Sequence, residues 1–442
     1  MKRILSLLVS CLIAFTSFLS TANISFANSG KPNLTAEHAV LMDYETGKVL
    51  YDKNGSTKLY PASTTKAWTA YVVLKHVPDL SQVVEIKDLP PVDGSSMYLR
   101  NGESFNVKQL LDALLVHSSN DVAVVLARYV GGGSVEKFVE LMNKEAKAIG
   151  AKNTHFNNPH GLPDTNHYTT AYDMALMARE AMNNEIFRNI VKTKSISYQP
   201  SEAYPHERYF VNTNKFLTSN EKINYKGNQI DIKYDIVDGI KTGYTDDAGR
   251  CLLSSAVKDN MRLISAVFKT TGNDLYLDSR TLLDYGYENF YSTTIVTKEK
   301  QAGIKKIFLS KQKELSYEPE YSYKRVLPKG QKESSYTTKV NLARTKLPIR
   351  KGDKVGTLDV YNSGKLEHSI NLIAKNNVNS VFAFITENKA VMSIIKLAIL
   401  IVVVLAIAII AFVITRKRRR KRKSYNRNIY SKKRGKHSRG RR

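Results

Sequence analysis

The chain has 442 residues, of which 42% are hydrophobic and 24% are charged, and its formal net charge is +27. This length is sufficient for two or three domains, and the composition excludes a disordered, collagen-like or multi-span membrane protein. The charge is concentrated towards one end, because residues 29–290 carry 29 basic and 31 acidic side chains whereas residues 416–442 carry 16 basic and no acidic ones. A nucleic-acid partner is therefore not expected for the globular part of the chain.

The N-terminus has the pattern of a secretory signal. Two basic residues precede an apolar run from Ile4 to about Leu19, and a small-residue cleavage pattern ends at Ala27. We therefore predict a signal peptide over residues 1–27, with a membrane anchor or lipidation at Cys11 as the alternatives. Removal of this segment leaves Cys251 as the single cysteine, which excludes an intramolecular disulfide.

The C-terminal region contains a predicted membrane span. Leu397 to Thr415 is a run of nineteen residues without charge, and a helix of that length extends about 28 Å, close to the thickness of a hydrocarbon core. Eight consecutive basic residues follow, from Arg416 to Lys423. Basic residues beside a span stay in the cytoplasm, so we predict a transmembrane helix over 397–415, a cytoplasmic tail over 416–442 and an exported main part. The membrane is thus an expected partner, and contact of the tail with anionic lipids is favoured over nucleic acid or a cytoplasmic protein.

Residues 28–290 are predicted to form an α+β domain. Apolar patterning predicts hairpins over 38–52 and 250–269, and helical spacing of apolar residues occupies much of the sequence between and after them. Strands from both ends of a segment with helices between them indicate one antiparallel sheet and a helical cluster. The predicted helices run from Val107 to Val116, Asp121 to Tyr129, Val135 to Ile149, Ala171 to Asn183 and Leu275 to Phe290.

The composition changes after about Phe290. Residues 291–385 carry 18 basic and 8 acidic side chains and are rich in Lys, Thr, Tyr, Val and Ser. Short alternating runs, such as that from Lys354 to Tyr361, are separated by glycines. We predict a small all-β domain over 291–385, and its sequence contains no cluster of candidate catalytic residues.

The first candidate for chemistry is Ser63-Thr64-Thr65-Lys66, which precedes an apolar run that starts at Trp68. Residues at i and i+3 lie on one face of a helix, so a helix that begins here places the amine of Lys66 beside the hydroxyl of Ser63. This pairs a nucleophile with a base at the positive end of a helix dipole. Ser-x-x-Lys occurs six times in the chain, and an ordinary helix cap is the alternative for Ser63 alone.

Two further motifs present hydroxyl, amide and amine groups. Ser118-Ser119-Asn120 lies between two predicted helices, where it either caps the second helix or presents a hydroxyl and an amide into a cleft. Lys241-Thr242-Gly243 is the single Lys-Thr-Gly of the chain and lies on a predicted strand. A cation and a hydroxyl side by side suit a carboxylate, and a glycine lets a ligand backbone lie alongside. A solvated lysine on an edge strand is the alternative.

The three motifs occur in this order, 55 and 123 residues apart, in helix-start, loop and strand contexts. In this combination the sequence resembles the serine penicillin-binding proteins and β-lactamases. Within them it is similar to the low-molecular-mass D-alanyl-D-alanine carboxypeptidases of the peptidase S11 type. The segments His160-Gly161-Leu162 and Tyr172-Asp173-Met174-Ala175 support this narrower resemblance. The resemblance covers residues 33–290 and implies a DD-peptidase/β-lactamase-like fold.

The resemblance implies that Ser63 attacks the peptide bond between two D-alanines while Lys66 accepts its proton. Ser118 would pass a proton to the departing D-alanine, and Asn120 would hold the substrate amide and orient the lysine. The implied activity is that of a serine D-alanyl-D-alanine carboxypeptidase that trims peptidoglycan stem pentapeptides through an acyl-enzyme. The implied partners are a stem peptide ending in D-Ala-D-Ala and, as covalent inhibitors, β-lactam antibiotics.

The strand motif supplies the implied binding groups. Lys241 and Thr242 would hold the free carboxylate of the substrate. Just past Gly243, the backbone N–H of Tyr244 would form an oxyanion hole together with the N–H of Ser63.

Other functions share these motifs. A class A β-lactamase needs a deacylating Glu, and the matching stretch here, from Asn157 to Asp164, has none. A D,D-endopeptidase uses closely similar chemistry, and a non-catalytic β-lactam sensor or wall-binding module is a third alternative. The histidines lack the spacing of a metal site, so neither a metal nor another cofactor is expected.

Overall fold

The computed structural model describes residues 30–343, 346–383 and 388–436. The predicted signal peptide and Cys11 lie outside the described residues. The described residues divide into two compact units, of which the first comprises those up to Ile295 with Tyr323–Glu333 and the second comprises Val296–Ser322 with those from Ser334 onwards. The predicted domain boundary at residue 290 stays a prediction.

The first unit is built on a five-stranded antiparallel sheet, and both predicted hairpins are part of it. The strand motif Lys241-Thr242-Gly243 lies on an edge strand, so one side of its backbone is available to a ligand. In spatial order the strands are β2 (Val49–Lys53), β1 (His38–Asp43), β11 (Met261–Thr270), β10 (Gly249–Lys258) and β9 (Val237–Thr245).

Side chains from both faces of this sheet are buried. Along β1, Val40 and Met42 contribute to one apolar core, and Ala39 and Leu41 contribute to a second core on the opposite face. Successive side chains of a strand point to opposite faces, so an uninterrupted apolar strand requires cover on both sides. Cys251 of β10 is fully buried in the first of these cores.

Helices cover the two faces, and the predicted antiparallel sheet with a helical cluster is confirmed. Four of the five predicted helices are found nearly as expected, whereas the one predicted from Val107 changes to a π-helical turn (Ala113–His117). The helices of the first unit are α1 (Thr65–His76), α2 (Val107–Asp112), α3 (Asn120–Val130), α4 (Val135–Ala148), α5 (Ala171–Ala181), α6 (Glu185–Val191), α7 (Lys215–Thr218) and α8 (Asp274–Asn289).

Short strand pairs complete the first unit. They are β3 (Val83–Glu85) with β4 (Ser104–Asn106), β5 (Ser195–Tyr198) with β6 (Arg208–Val211), β7 (Lys222–Tyr225) with β8 (Asn228–Asp231), and β12 (Phe290–Val296) with β15 (Tyr323–Pro328). Six of these strands have three or four residues, too few for apolar periodicity to predict them, whereas β12 and β15 lie almost wholly in the segment that was predicted to be all-β.

The second unit contains a five-stranded antiparallel sheet, which confirms the predicted all-β fold. Ser363 and Gly364 connect its last two strands with φ values of 49° and 81°. Two consecutive positive φ values are typical of the tight turns that match the twist of a hairpin. In spatial order the strands are β13 (Gly303–Lys306), β14 (Glu314–Pro319), β18 (Lys365–Ala374), β17 (Lys354–Asn362) and β16 (Tyr336–Leu342).

The last described element is the long helix α9 (Lys389–Lys436). Within the described part of the chain it is the one helix that is long and apolar enough to cross a membrane. The apolar run from Leu397 to Thr415 lies in its middle, so the helix extends beyond the predicted span in both directions.

A buried ion pair ties the turn before β4 to β6. Both Nη atoms of Arg208 donate to the carboxylate of Glu103 at 2.8 Å, and the two side chains are only 3% and 1% exposed. The ring of Tyr204 lies 3.6 Å from the guanidinium. Removal of one partner would leave a buried charge without compensation.

We therefore expect Glu103→Gln to lower the free energy of unfolding of the first unit by about 3–5 kcal/mol. Urea unfolding followed by the fluorescence of Trp68 measures this, because the chain has one tryptophan and it is buried in the first unit. The double variant Glu103→Leu, Arg208→Met should lose less unfolding free energy than the sum of the losses measured for Glu103→Leu and Arg208→Met separately. A loss below about 1 kcal/mol in Glu103→Gln would contradict this account.

Candidate active site

Ser63 lies in a 3-10 turn (Ala62–Thr64) that leads directly into α1. The Nζ atom of Lys66 is 2.7 Å from Oγ of Ser63 and donates to the carbonyl of His160 at 2.8 Å. The i, i+3 spacing therefore brings the hydroxyl and the amine together, as predicted. The arrangement places a potential proton acceptor directly on the Ser63 hydroxyl.

The amine of Lys66 is held in conditions that oppose its charge. Its side chain is fully buried, and burial is the main cause that holds the pKa of Lys66 well below 10.5, followed by the nearby Lys241, whereas Asp121 acts in the opposite direction. Burial also lowers the pKa of Lys241 to about 7. Desolvation thus contributes more to the neutral amine than the neighbouring cation does.

Strand β9 approaches the 3-10 turn very closely at Gly243. A Cβ atom there would lie 3.0 Å from the backbone N of Ser63 and 3.1 Å from that of Thr64. These contacts are tighter than a side chain normally makes, so any larger residue would require the 3-10 turn to shift by a few tenths of an ångström. The close approach brings the strand beside the nucleophile, and Nζ of Lys241 donates to the carbonyl of Thr242 at 3.0 Å.

The loop motif begins with Ser118 in a left-handed conformation, at φ 74°. Ser119 is the N-cap of α3 but makes no side-chain capping bond, so the capping alternative does not account for this motif. Nδ2 of Asn120 donates to the carbonyl of Asp93 at 2.5 Å. Oδ1 of Asn120 is buried and has no hydrogen-bond partner among the described residues, so it is available to accept from a ligand.

These three regions surround one cleft of about 600 Å³. Six of the eight predicted site residues line it, while Lys66 and Lys241 lie behind its surface. No Asp or Glu belongs to this lining in the described part of the chain. The lining residues are Ser63, Gly94, Ser95, Ser118, Asn120, Gly161, Leu162, Thr213, Lys215, Thr242, Gly243, Tyr244, Thr245, Arg250, Gly272, Asn273, Leu275 and Tyr276.

The segment around His160 packs against the 3-10 turn that carries the nucleophile. Gly161 has φ 93°, and a Cβ atom there would overlap the backbone carbonyl of Ala62. Nδ1 of the buried His167 accepts from the backbone N of Asn157 at 3.0 Å, so its Nε2 carries the proton and donates to Oγ1 of Thr65 at 3.0 Å. Burial lowers the pKa of His167 to about 4 and that of His160 to about 3, so both rings are neutral supports.

Arg250 is a cleft residue that sequence reasoning missed. It pairs with Tyr244 across β9 and β10, and its guanidinium lies 5.0 Å from the centroid of the Tyr244 ring. The other cation of the lining, the half-buried Lys215, is paired with Glu221 at 2.7 Å, whereas no acidic partner of Arg250 is found in the described residues. The register of the β9–β10 hairpin was the one signal that would have placed Arg250 here.

An α+β fold with Ser63, Lys66 and a Lys-Thr-Gly strand around one cleft defines a serine peptidase of the DD-peptidase class. The sequence profile of the D-alanyl-D-alanine carboxypeptidase family matches residues 25–272, and that of the penicillin-binding protein 5 C-terminal domain matches residues 290–380. The chain therefore belongs to the D-alanyl-D-alanine carboxypeptidase family, and the stated resemblance is confirmed.

Individual relatives agree over most of their length. D-alanyl-D-alanine carboxypeptidase DacF of Bacillus subtilis (strain 168) is 31% identical over 404 residues, which are 89% of this chain and 98% of the relative. D-alanyl-D-alanine carboxypeptidase DacD of Escherichia coli (strain K12) is 32% identical over 383 residues, covering 83% and 92%. The structure of penicillin-binding protein 5 from Haemophilus influenzae matches with a TM-score of 0.62 and 31% identity, covering 79% of this chain and 99% of that one.

The lowered pKa of Lys66 predicts how the reactivity of Ser63 depends on pH. If the pKa of the lysine were 10.5, the fraction of neutral amine would fall about tenfold for each pH unit below that value. Because burial lowers the pKa of Lys66 well below that value, the rate of acylation by a fluorescent penicillin should instead level off before pH 10.5 is reached and stay constant over the range just below it. Rapid-quench labelling measures this, and a rate that still rises tenfold per unit in that range would contradict the assignment.

Proposed function

We propose that the chain removes the terminal D-alanine from peptidoglycan stem pentapeptides, with Ser63 as the nucleophile. The observation that carries the proposal is the contact between the Ser63 hydroxyl and the buried amine of Lys66 in the cleft beside Lys241-Thr242-Gly243. A hydroxyl is a weak nucleophile unless a base accepts its proton, and burial favours the neutral form of an amine, which can accept that proton.

In the proposed acylation, Oγ of Ser63 bonds to the carbonyl carbon between the two D-alanines while its proton moves to Nζ of Lys66. The C–N bond then breaks, and the proton passes through Ser118 to the amine of the departing D-alanine. The oxygen that gains negative charge would accept hydrogen bonds from the backbone N–H groups of Ser63 and Tyr244. The close approach at Gly243 supports this pairing, because it brings both segments to one side of the cleft.

Water then hydrolyses the acyl-enzyme and releases the shortened peptide. A β-lactam presents a similar carbonyl beside a carboxylate, so it would acylate the same Ser63. Slow release of that adduct is expected, because the described cleft lining contains no Asp or Glu that would activate water as a dedicated deacylating base. This supports a carboxypeptidase over a β-lactamase.

We propose that Arg250 and Thr242 hold the terminal carboxylate, with Lys241 adding positive potential from behind. Lys241 is only 1% exposed, and with a pKa lowered to about 7 it is not a fully charged group at neutral pH. The guanidinium of Arg250 is exposed in the cleft and always protonated. It presents paired donors in the fork geometry that suits a carboxylate. Oδ1 of Asn120 would accept from the substrate amide.

We also propose that α9 anchors the chain in the cell membrane, with the first unit outside and the basic end of the helix in the cytoplasm. The long apolar helix supports the anchor, and the basic run from Arg416 to Lys423 supports this orientation.

Ser63→Ala should abolish both the release of D-alanine from a stem pentapeptide and covalent labelling by a fluorescent penicillin. The reason is that no hydroxyl remains to form the acyl bond. A coupled D-alanine assay and gel fluorescence measure the two losses. Ser119→Ala is the matched control, because Ser119 lies outside the cleft lining and should keep both activities. Covalent labelling that persists in Ser63→Ala would contradict the proposal.

Arg250→Gln should lower kcat/KM for a peptide with a free C-terminal carboxylate by about 10- to 100-fold, through loss of a charge-assisted hydrogen bond. The same peptide with a C-terminal amide lacks the charge, so wild type and variant should differ little on it. Lys215→Gln is the matched control, since the charge of Lys215 is already paired with Glu221. Equal losses on the two peptides, or in both variants, would show that Arg250 does not recognise the carboxylate.

A further inference from the structure

Four large apolar side chains of the second unit form one exposed surface, here called the apolar patch. Two chain segments are joined at this surface, because the backbone N of Val381 donates to the carbonyl of Leu309 at 2.9 Å and an isolated bridge pairs Ser310 with Ser380. The patch therefore belongs to a fixed part of the fold. Its members and their exposed fractions are Phe308 (87%), Leu309 (49%), Val381 (43%) and Phe382 (50%).

Basic residues accompany the patch. Lys305 and Lys306 end β13, just before Phe308, and Lys311 and Lys313 follow Leu309 within four positions. Phenylalanine and leucine beside several lysines are typical of surfaces that bind at the boundary between headgroups and acyl chains of an anionic membrane. Clustered large apolar groups on a protein surface mark a contact with a partner, and the lysines beside this cluster favour an anionic membrane as that partner.

The chain itself carries the patch close to a membrane. Phe382 precedes the first residue of α9, Lys389, by seven positions. Seven residues span at most about 25 Å even when fully extended. If α9 crosses the bilayer, this surface is therefore confined near the side of the membrane from which the helix enters.

We propose that the apolar patch inserts into the outer leaflet of the membrane that α9 spans. Phe308 and Leu309 would enter the acyl boundary, while Lys305, Lys306 and Lys311 would contact the phosphates of anionic lipids. The second unit would then touch the bilayer at a surface of its own in addition to the helix. The inference rests on the proposed anchor and not on the proposed catalytic chemistry.

The test is tryptophan fluorescence of the full chain in vesicles of phosphatidylcholine and phosphatidylglycerol, with and without bromine on the acyl chains. Bromine quenches tryptophan only at short range, and the native Trp68 is buried, so wild type supplies the background. In Phe308→Trp the added emission should shift to shorter wavelength and be roughly twofold lower with brominated lipid, as expected for a side chain at the acyl boundary.

Two matched variants separate the possible failures. Phe412→Trp places the probe in the apolar run of α9. Leu366→Trp places it at a residue of the second unit that is 52% exposed but lies outside the apolar patch. Quenching at 412 and 308 but not at 366 supports the proposal. Quenching at 412 alone overturns it while leaving the anchor intact. Absence of quenching at 412 overturns the anchor and the proposal with it, without bearing on the carboxypeptidase assignment.

The charge contribution has its own measurement. Lys305→Gln combined with Lys306→Gln should reduce the quenching at position 308 in vesicles that contain phosphatidylglycerol, but not in phosphatidylcholine alone. A blue-shifted tryptophan at 308 that brominated lipid does not quench would show that protein covers the patch, which would overturn the proposal. Release of D-alanine from a soluble peptide should be unchanged in Phe308→Trp, because the substitution lies outside the first unit.

Discussion

The site depends on the burial of one primary amine. Lys66 is fully enclosed, and a low-dielectric environment penalises its charged form more than any neighbour does. Among the described residues, the same enclosure leaves the amine two partners within hydrogen-bond distance, the hydroxyl of Ser63 and the carbonyl of His160. A lysine at the same place but open to water would be protonated at neutral pH and could not accept a proton. Helix geometry sets the distance, and burial decides the chemistry.

Two glycines on opposite sides keep this arrangement compact. Gly243 lets the edge strand lie against the 3-10 turn, and Gly161 lets the segment that carries the His160 carbonyl lie against Ala62. A side chain at either position would push one wall away from Ser63. The two glycines therefore matter because they have no side chain. The apolar cores on the two faces of the sheet hold its strands in place, including β9, which carries Gly243.

Much of this could be predicted from the sequence, because local rules govern it. The proximity of Ser63 and Lys66 follows from the i, i+3 spacing on a helix, and the two long hairpins follow from apolar patterning, whereas the joint action of the three motifs was implied by the family resemblance. The place of Arg250 could not be predicted in this way, because it depends on the register of β9 against β10, and a shift by one residue would turn its side chain to the other face. The lowered pKa of Lys66 depends mainly on burial by the surrounding tertiary structure, which cannot be predicted from a short motif. The roles proposed for the site residues stay predictions.

The position of Cys251 has a consequence for how such a protein tolerates its surroundings. Its thiol is fully buried in the sheet, and burial raises its pKa to about 12. Thiolates are the species that oxidants and alkylating reagents attack. If the predicted signal peptide is removed, Cys251 is the single cysteine that remains, and the chain would present no reactive thiol to its surroundings. It would neither cross-link to its neighbours nor lose activity to thiol-directed reagents.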